Sequence, residues 1–213
     1  MLIESRAVAP FHKNGFLVAC EGGTDAVLID PGDEVDALLG LARSGGLSVG
    51  AILLTHGHVD HVSGVAAAKR ATGAPVGIHR ADVFLYENAV EQGRFFGYRV
   101  EPPPAPDFFI ADSECLAFGG CAIDVHHTPG HSPGGVCLRV RCPGTEEVHL
   151  FVGDTLFAGS IGRTDLPGGD YDALIGSIRS VLFGFGDEAI VHPGHGPDTM
   201  IGRERATNPF LRG

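Results

Sequence analysis

The residues best suited to chemistry in this sequence are four potential metal ligands within a six-residue segment. His56, His58, Asp60 and His61 follow the apolar run 51–54 after a single threonine. Neutral imidazole nitrogens and carboxylate oxygens are ligands that zinc, iron and manganese accept. Three histidines and an aspartate this close together are costly to maintain without an ion to share. The segment therefore predicts a metal site.

Three more potential ligands lie downstream at His131, Asp154 and His195, each beside a glycine. With the first group they make five histidines and two aspartates, which is enough for two metal ions per chain. A carboxylate can bridge two ions about 3.5–4 Å apart, and Asp154 is the isolated candidate for that position. Asp60 and Asp154 are accordingly predicted to serve catalysis as well as metal binding.

The spacing within the first group predicts how it divides between the two ions. His56 and His58 are two residues apart, so both can turn toward one ion from an extended or loop segment. Asp60 and His61 begin the following helix and can face a second ion nearby. Three or four protein ligands per ion leave room for water or substrate, as in a catalytic site. Water bound to zinc has its pKa lowered toward about 7, which provides hydroxide at neutral pH.

The elements that must position these ligands are predicted strands that end just before them. Apolar and alternating runs predict strands at 16–20, 26–29, 51–54, 76–78, 123–127, 135–140, 148–152 and 189–191. Helical spacing predicts helices at 34–43, 62–72 and 170–182, and the proline-rich segment 102–106 is predicted to be an extended loop. Two β-rich halves flanked by helices indicate an α+β fold, an αββα sandwich of two mixed sheets packed face to face with helices outside. Such a sandwich can bring several strand ends to one edge.

Length and charge exclude several classes of function. The 213 residues fit a single domain spanning 1–213, and 44% apolar residues can build a substantial core. The net charge is -11 and only two lysines occur, which argues against a nucleic-acid partner. No apolar run approaches the roughly 18 residues of a membrane span, and no secretory signal is visible. Five cysteines, without a CxxC motif, indicate buried free thiols in a reducing, cytoplasmic setting.

The order of motifs resembles the metallo-β-lactamase-fold superfamily, and within it the glyoxalase II group of hydroxyacylglutathione hydrolases. The segments that carry this resemblance are 55–61, 127–134, 151–157 and 193–197. The segments 162–165 and 208–211 are similar to the short glyoxalase II-like subgroup. The resemblance covers almost the whole chain, and its first motif is highly specific.

The resemblance implies a ligand set and a reaction. One ion would bind His56, His58 and His131, the other Asp60, His61 and His195, with Asp154 bridging and Asp30 holding a ligand histidine by its other nitrogen. Zinc is the expected metal, with iron or manganese as alternatives. The implied activity is hydrolysis of a thioester, an S-acylglutathione such as S-lactoylglutathione, through attack of a metal-bridging hydroxide on the carbonyl. The expected partner is thus a small molecule.

The sequence departs from full-length glyoxalase II at its end. Those enzymes carry a C-terminal helical domain whose basic groups bind the glycine carboxylate of glutathione. Here 18 residues follow His195, so no such domain is expected. Arg163 and Arg94 are the candidates to replace those basic groups, and the acyl group and the thiol remain open.

Two further activities of the same fold compete with this interpretation. A persulfide dioxygenase would use one iron held by His56, His131 and Asp154, leaving three positions for oxygen and sulfur. Hydrolysis of another small ester or lactone is the other alternative. A β-lactamase is disfavoured, because some such enzymes use a cysteine ligand and no cysteine here neighbours a ligand motif.

Overall fold

Two six-stranded sheets pack face to face in the computed structural model, which describes residues 1–118 and 120–212. The first sheet has the strand order β1-β2-β3-β4-β5-β6. Its strands are β1 (Leu2–Val8), β2 (Lys13–Ala19), β3 (Asp25–Ile29), β4 (Ser48–Leu53), β5 (Val76–His79) and β6 (Phe108–Ile110). The first three strands are antiparallel neighbours and the last four run parallel, so the sheet is mixed.

The second sheet has the order β14-β13-β10-β9-β8-β7. Its strands are β7 (Cys115–Phe118), β8 (Cys121–His127), β9 (Val136–Arg141), β10 (His149–Gly153), β13 (Ile190–Pro193) and β14 (Thr199–Met200). It too is mixed, because β10 and β13 are parallel while the other neighbours are antiparallel. A small hairpin of β11 (Leu156–Phe157) and β12 (Ser160–Ile161) follows β10.

Helices cover the outer faces of both sheets. They are α1 (Val35–Ser44), α2 (Val59–Val62), α3 (Val65–Thr72), α4 (Val83–Glu87), α5 (Ala89–Phe95), α6 (Tyr171–Ser180) and α7 (Ile201–Thr207). Helix α6 begins where predicted, because the Asp170 carboxylate accepts a hydrogen bond from the Ala173 amide at 2.9 Å. The helix expected over 62–72 is shorter, with α3 starting at Val65 after a break from α2. None of the helices in the described parts of the chain is long and apolar enough to cross a membrane.

Alternation along the strands separates three apolar layers. On β2, Phe16 and Val18 face the second sheet, whereas Leu17 and Ala19 face the helices that cover the first sheet. A third layer lies between the second sheet and α6 and α7. The order is therefore helix, sheet, sheet, helix, and the predicted αββα sandwich is confirmed.

Six strands have no counterpart in the sequence-based prediction, namely β1, β6, β7 and the two-residue strands β11, β12 and β14. The edge strand β1 has no buried residue, so it lacks the apolar pattern by which strands are identified. Strands β6 and β7 are short and only partly buried. The loop predicted over 102–106 is confirmed.

The cysteines differ from the expectation of five buried free thiols. Cys20, Cys121 and Cys142 converge between the two sheets, with the sulfur of Cys20 in bonding contact with each of the other two. Cys137 is buried and free, while Cys115 is free and exposed. The prediction is wrong for four of the five because sequence spacing does not reveal contacts between residues 101 and 122 positions apart, nor an edge-strand position.

Candidate metal centre

The loops that follow β4, β8, β10 and β13 meet at one edge of the sandwich and bring all seven predicted ligands together. The first group of four extends from the first sheet, and His131, Asp154 and His195 extend from the second. An isolated antiparallel bridge between Lys13 and His195 joins the sheets beside them. Function on loops over a rigid scaffold is a common arrangement.

Three buried histidines form the first half of the centre. Nε2 of His131 lies 2.8 Å from Nδ1 of His58 and 3.2 Å from Nε2 of His56. Burial lowers the pKa of His58 to about 3, with the His131 ring adding to the effect, and burial also lowers the pKa of His56. The three rings point nitrogens at one place, and the lowered pKa values of His56 and His58 favour the neutral imidazole, which is the form that binds metal.

The second half combines a carboxylate with two histidines. Oδ2 of Asp60 lies 3.0 Å from Nε2 of His195 and 3.7 Å from Nε2 of His61. Burial opposes the charged form of His61, but the carboxylates of Asp60, Asp30 and Asp154 outweigh it and raise its pKa to about 10. A site that attracts a proton this strongly also attracts a metal cation in its place.

Asp154 lies between the two halves and faces both. Its Oδ1 is 3.3 Å from Nε2 of His61, and its Oδ2 is 3.6 Å from Nε2 of both His131 and His195. Burial favours the neutral acid, but the charge of His61 and its hydrogen bond outweigh this and lower the pKa of Asp154 well below its usual value. Oδ1 of Asp154 and Nε2 of His61 are buried without a hydrogen-bond partner. Orphaned donor atoms of this kind fit a pair of divalent cations.

The ligand rings are oriented through their other nitrogens. Nδ1 of His61 donates to Oδ2 of Asp30 at 2.9 Å, and Nδ1 of His131 donates to the Arg163 carbonyl at 2.8 Å. Asp30 also accepts hydrogen bonds from the amide and the hydroxyl of Thr55, at 2.7 and 2.5 Å. Although Asp30 lies close enough to His56 and His61 to form a third donor group, its oxygens already serve these three donors. Its position therefore agrees with a supporting role.

Asp82 holds the two ligand loops together, and sequence reasoning missed it. This buried carboxylate accepts hydrogen bonds from the Gly57 amide at 2.9 Å, the Ser132 hydroxyl at 2.7 Å and the Gly134 amide at 2.5 Å. One side chain thus fixes the loop of His58 against the loop of His131. No local pattern signals it, because its partners lie 25 to 52 residues away.

Asn14 fixes the His195 loop and was also missed. Its backbone amide donates to the Gly194 carbonyl at 2.7 Å, and its side-chain amide donates to the carbonyls of Pro193 and Gly196 at 3.0 and 2.8 Å. Gly194 itself is required by space, because a Cβ there would lie 2.2 Å from Oδ1 of Asp154. The chain can therefore pass close to the centre only with glycine at this position.

The ligands open into a cavity of about 210 Å³. It is lined by Phe11, His58, Val59, Asp60, Gln92, Phe96, His131, Asp154, Arg163, Leu166 and His195. Arg163, predicted as a substrate residue, lies at the mouth and forms an exposed two-point ion pair with Asp165 at 2.7 and 2.8 Å. Arg94, the other prediction, lies exposed on α5 in an ion pair with Glu91, outside this lining.

A second, more apolar cavity of about 410 Å³ adjoins the first. The two share His58, Gln92, Phe96 and Leu166, and the second adds Leu85, Glu91, Phe95, Asp165 and Pro167. Phe95 and Phe96 are exposed at its rim. A ligand that reaches the metal centre can thus extend into an apolar space beside it.

Comparisons with known proteins identify the family of this chain. A family model described as the metallo-beta-lactamase superfamily matches residues 8–195. The hydroxyacylglutathione hydrolase GloC of Haemophilus influenzae is 38% identical over 99% of this chain and 98% of its own length. A crystal structure of TTHA1623 in a di-iron-bound form has a TM-score of 0.86 and 43% identity, covering 98% of this chain and 100% of the other. A structure of the BLEG-1 B3 metallo-beta-lactamase has a TM-score of 0.89 and 34% identity, covering 100% of both chains.

Proposed function

The chain belongs to the metallo-beta-lactamase superfamily, and from that premise we propose that it is a binuclear metallohydrolase, a single domain over 1–213, that cleaves thioesters of the S-acylglutathione type. The observation that carries the proposal is the position of Asp154, whose carboxylate lies within 3.6 Å of histidines from both halves of the seven-residue donor set. The similarity to a hydroxyacylglutathione hydrolase along nearly the full chain supports the choice of substrate class.

The proposed ligand set is the one implied by the sequence. The first ion is held by His56, His58 and His131, the second by Asp60, His61 and His195, and both by Asp154. Zinc is the proposed metal, with iron or manganese as alternatives that such a donor set also accepts. Divalent ions held here supply hydroxide from water at neutral pH and polarise a carbonyl.

The residues that line the cavity favour a substrate with a good leaving group. Among the described lining residues, each ionisable side chain except Arg163 belongs to the proposed ligand set. Arg163 is paired with Asp165, which raises its pKa further, so it is a poor proton donor. A thiol has an unperturbed pKa of about 8.5 and can depart as a thiolate without a proton donor. An alcohol or amine would require one, so the lining supports thioester hydrolysis.

The same lining suggests how the substrate lies. Arg163 stands at the mouth of the cavity with its side chain 55% exposed, where exchange of Asp165 for a substrate carboxylate requires little rearrangement. The adjoining apolar cavity, with Phe96 and Leu166, accommodates an uncharged part of the substrate. We therefore place the anionic thiol portion near Arg163 and the acyl portion toward the apolar cavity.

A second candidate function is β-lactam hydrolysis, favoured by the 34% identity to the BLEG-1 B3 metallo-beta-lactamase over both full chains. The cavity argues against it, because a departing amide nitrogen needs a proton, and of the lining residues that the structure describes none except the ligands is positioned to give one. The mononuclear-iron alternative uses only His56, His131 and Asp154. It leaves the Asp60, His61 and His195 group unexplained.

A substrate panel with metal analysis tests these assignments. Protein loaded with zinc should release thiol from S-lactoylglutathione, detected with a chromogenic thiol reagent, and should contain two ions per chain. The same sample should leave a chromogenic cephalosporin intact and consume no oxygen with glutathione persulfide. Absence of thiol release by protein carrying two ions would reject the proposal. One iron per chain together with oxygen uptake would establish the dioxygenase instead.

A further inference from the structure

The three-cysteine cluster of Cys20, Cys121 and Cys142 lies in the core between the sheets and has no part in the proposed hydrolase site. Cys20 follows β2, Cys121 begins β8 and Cys142 follows β9, so the cluster joins the first sheet to two strands of the second. The Cα atoms of Cys20 lie 6.0 and 5.5 Å from those of Cys121 and Cys142. The sulfurs of Cys121 and Cys142 are 3.5 Å apart.

The cluster is far from the hydrolase centre. Strand β2 begins at Lys13, which bridges to His195, and runs to Ala19 just before Cys20. Seven residue steps at about 3.3 Å each place Cys20 roughly 23 Å from that end. The two sites therefore occupy opposite ends of the sandwich.

A simple disulfide does not account for three converging sulfurs. A sulfur atom forms only one disulfide, yet Cys20 contacts both partners, so either pairing leaves a third buried thiol against the bond. A disulfide also requires an oxidant to take up two electrons. A shared cation satisfies all three sulfurs at once, and each ligating thiol needs only to release its proton.

We propose that Cys20, Cys121 and Cys142 bind one soft, thiophilic cation of the Cu(I) type. Thiolate sulfur selects soft ions such as Cu(I). Zinc in structural sites almost always takes four ligands, and within the described residues this donor group contains three. Cu(I) is satisfied by three sulfurs. The cysteines are 8%, 3% and 7% exposed and lie among apolar residues.

The test uses fully reduced protein whose histidine centre has first been loaded with zinc. Cu(I) is added without oxygen in the presence of bathocuproine disulfonate, a coloured chelator that competes for it. We expect one Cu(I) per chain to be retained, with ultraviolet charge-transfer absorption from thiolate to copper. Zinc should remain at the histidine centre. The thiolate band distinguishes the two sites, because copper bound at the histidine centre would not produce it.

Single substitutions locate the site. Cys121→Ser and Cys142→Ser should each weaken Cu(I) binding by about tenfold or more, since even the outer partners of metal ligands contribute that much. The free cysteines provide matched controls, so Cys137→Ser and Cys115→Ser should retain wild-type affinity. Unchanged binding in Cys121→Ser overturns the proposal. The proposal is also overturned if the wild-type protein fails to retain Cu(I) although a thiol reagent detects all five of its cysteines as free thiols. A Cys20 disulfide that persists after treatment with reductant would overturn it as well.

Discussion

Replacing Asp30 with asparagine is the sharpest test of how the centre is organised. Asp30 adopts a left-handed backbone conformation with φ 49°, which asparagine tolerates well, so the turn should be preserved. The carboxylate accepts hydrogen bonds from Thr55 through its amide and its hydroxyl, and from Nδ1 of His61. An amide has one oxygen and one NH₂ group, so it cannot accept all three.

The substitution should act through the proton on His61. If the NH₂ group faces His61, Nδ1 must become an acceptor and the proton moves to Nε2, the atom that faces Asp60 and Asp154. A protonated Nε2 cannot bind a metal ion. If the asparagine side chain is flipped, its NH₂ group faces the Thr55 amide, so two hydrogen-bond donors meet where the native protein has a hydrogen bond of 2.7 Å. Losing such a partner costs about 10–100-fold in metal affinity, or about 1.4–2.7 kcal/mol.

The assay is chelator competition with the number of bound ions counted by elemental analysis. We expect Asp30→Asn to lose the ion bound by His61 at lower chelator concentration, while the ion bound by the three-histidine half is less affected. Asp33→Asn is the matched control, because Asp33 is an exposed aspartate of the same turn whose carboxylate accepts a hydrogen bond from the Ser63 hydroxyl. Equal affinity of Asp30→Asn and wild type for both ions would refute the reasoning.

Four other perturbations follow from the same geometry. His58→Ala should remove metal from the first half with little change in the melting temperature of the metal-free protein, because the residue lies on a loop; full metal content would contradict this. Asp154→Asn should lower the occupancy of both ions, and loss of only one would exclude bridging. Arg163→Ala should raise KM for an anionic thioester more than it lowers kcat. Arg70→Ala is the control, because it removes a similar exposed two-point ion pair with a glutamate away from the site, and it should leave both constants unchanged. In the metal-free protein the raised pKa of His61 contributes stability that is complete below its unfolded value of 6.5 and is lost as the pH rises through about 10. The melting temperature of the metal-free protein should accordingly fall between pH 7 and 10, while that of the zinc-loaded protein shows no such fall. A melting temperature of the metal-free protein that does not change with pH would disprove the positive charge on His61.

The fold was largely predictable because its inner strands alternate or are continuously apolar. The run 51–54 predicts an inner strand, and β4 ends at Leu53 with all three residues 51–53 buried. The helix predicted over 34–43 appears as α1, whose buried residues follow the expected spacing. Strand β1 could not be predicted, since an edge strand with mostly exposed side chains resembles a loop in sequence.

The candidate ligands were visible in sequence, but the residues that orient them were not. Ligand types cluster in short motifs, whereas Asp82 and Asn14 act on loops that lie far away along the chain. The contact made by Arg163 is instructive as well. Its side chain was the predicted feature, yet its backbone carbonyl is what holds His131. Any residue type can supply a carbonyl, so no pattern of side chains reveals this contact.

Each half of the candidate metal centre takes residues from both sheets, so the positions of the candidate ligands depend on how the sheets pack in the interior. The spacing between His56 and His131, for example, depends on how far apart the sheets lie. Edge-to-face packing of Phe16 on Phe151, with ring centroids 5.0 Å apart, is one of the contacts that fix that separation. We expect smaller side chains at these buried positions to alter turnover although they do not touch the substrate. They would change the separation of the two sheets, and with it the distances between the candidate ligands.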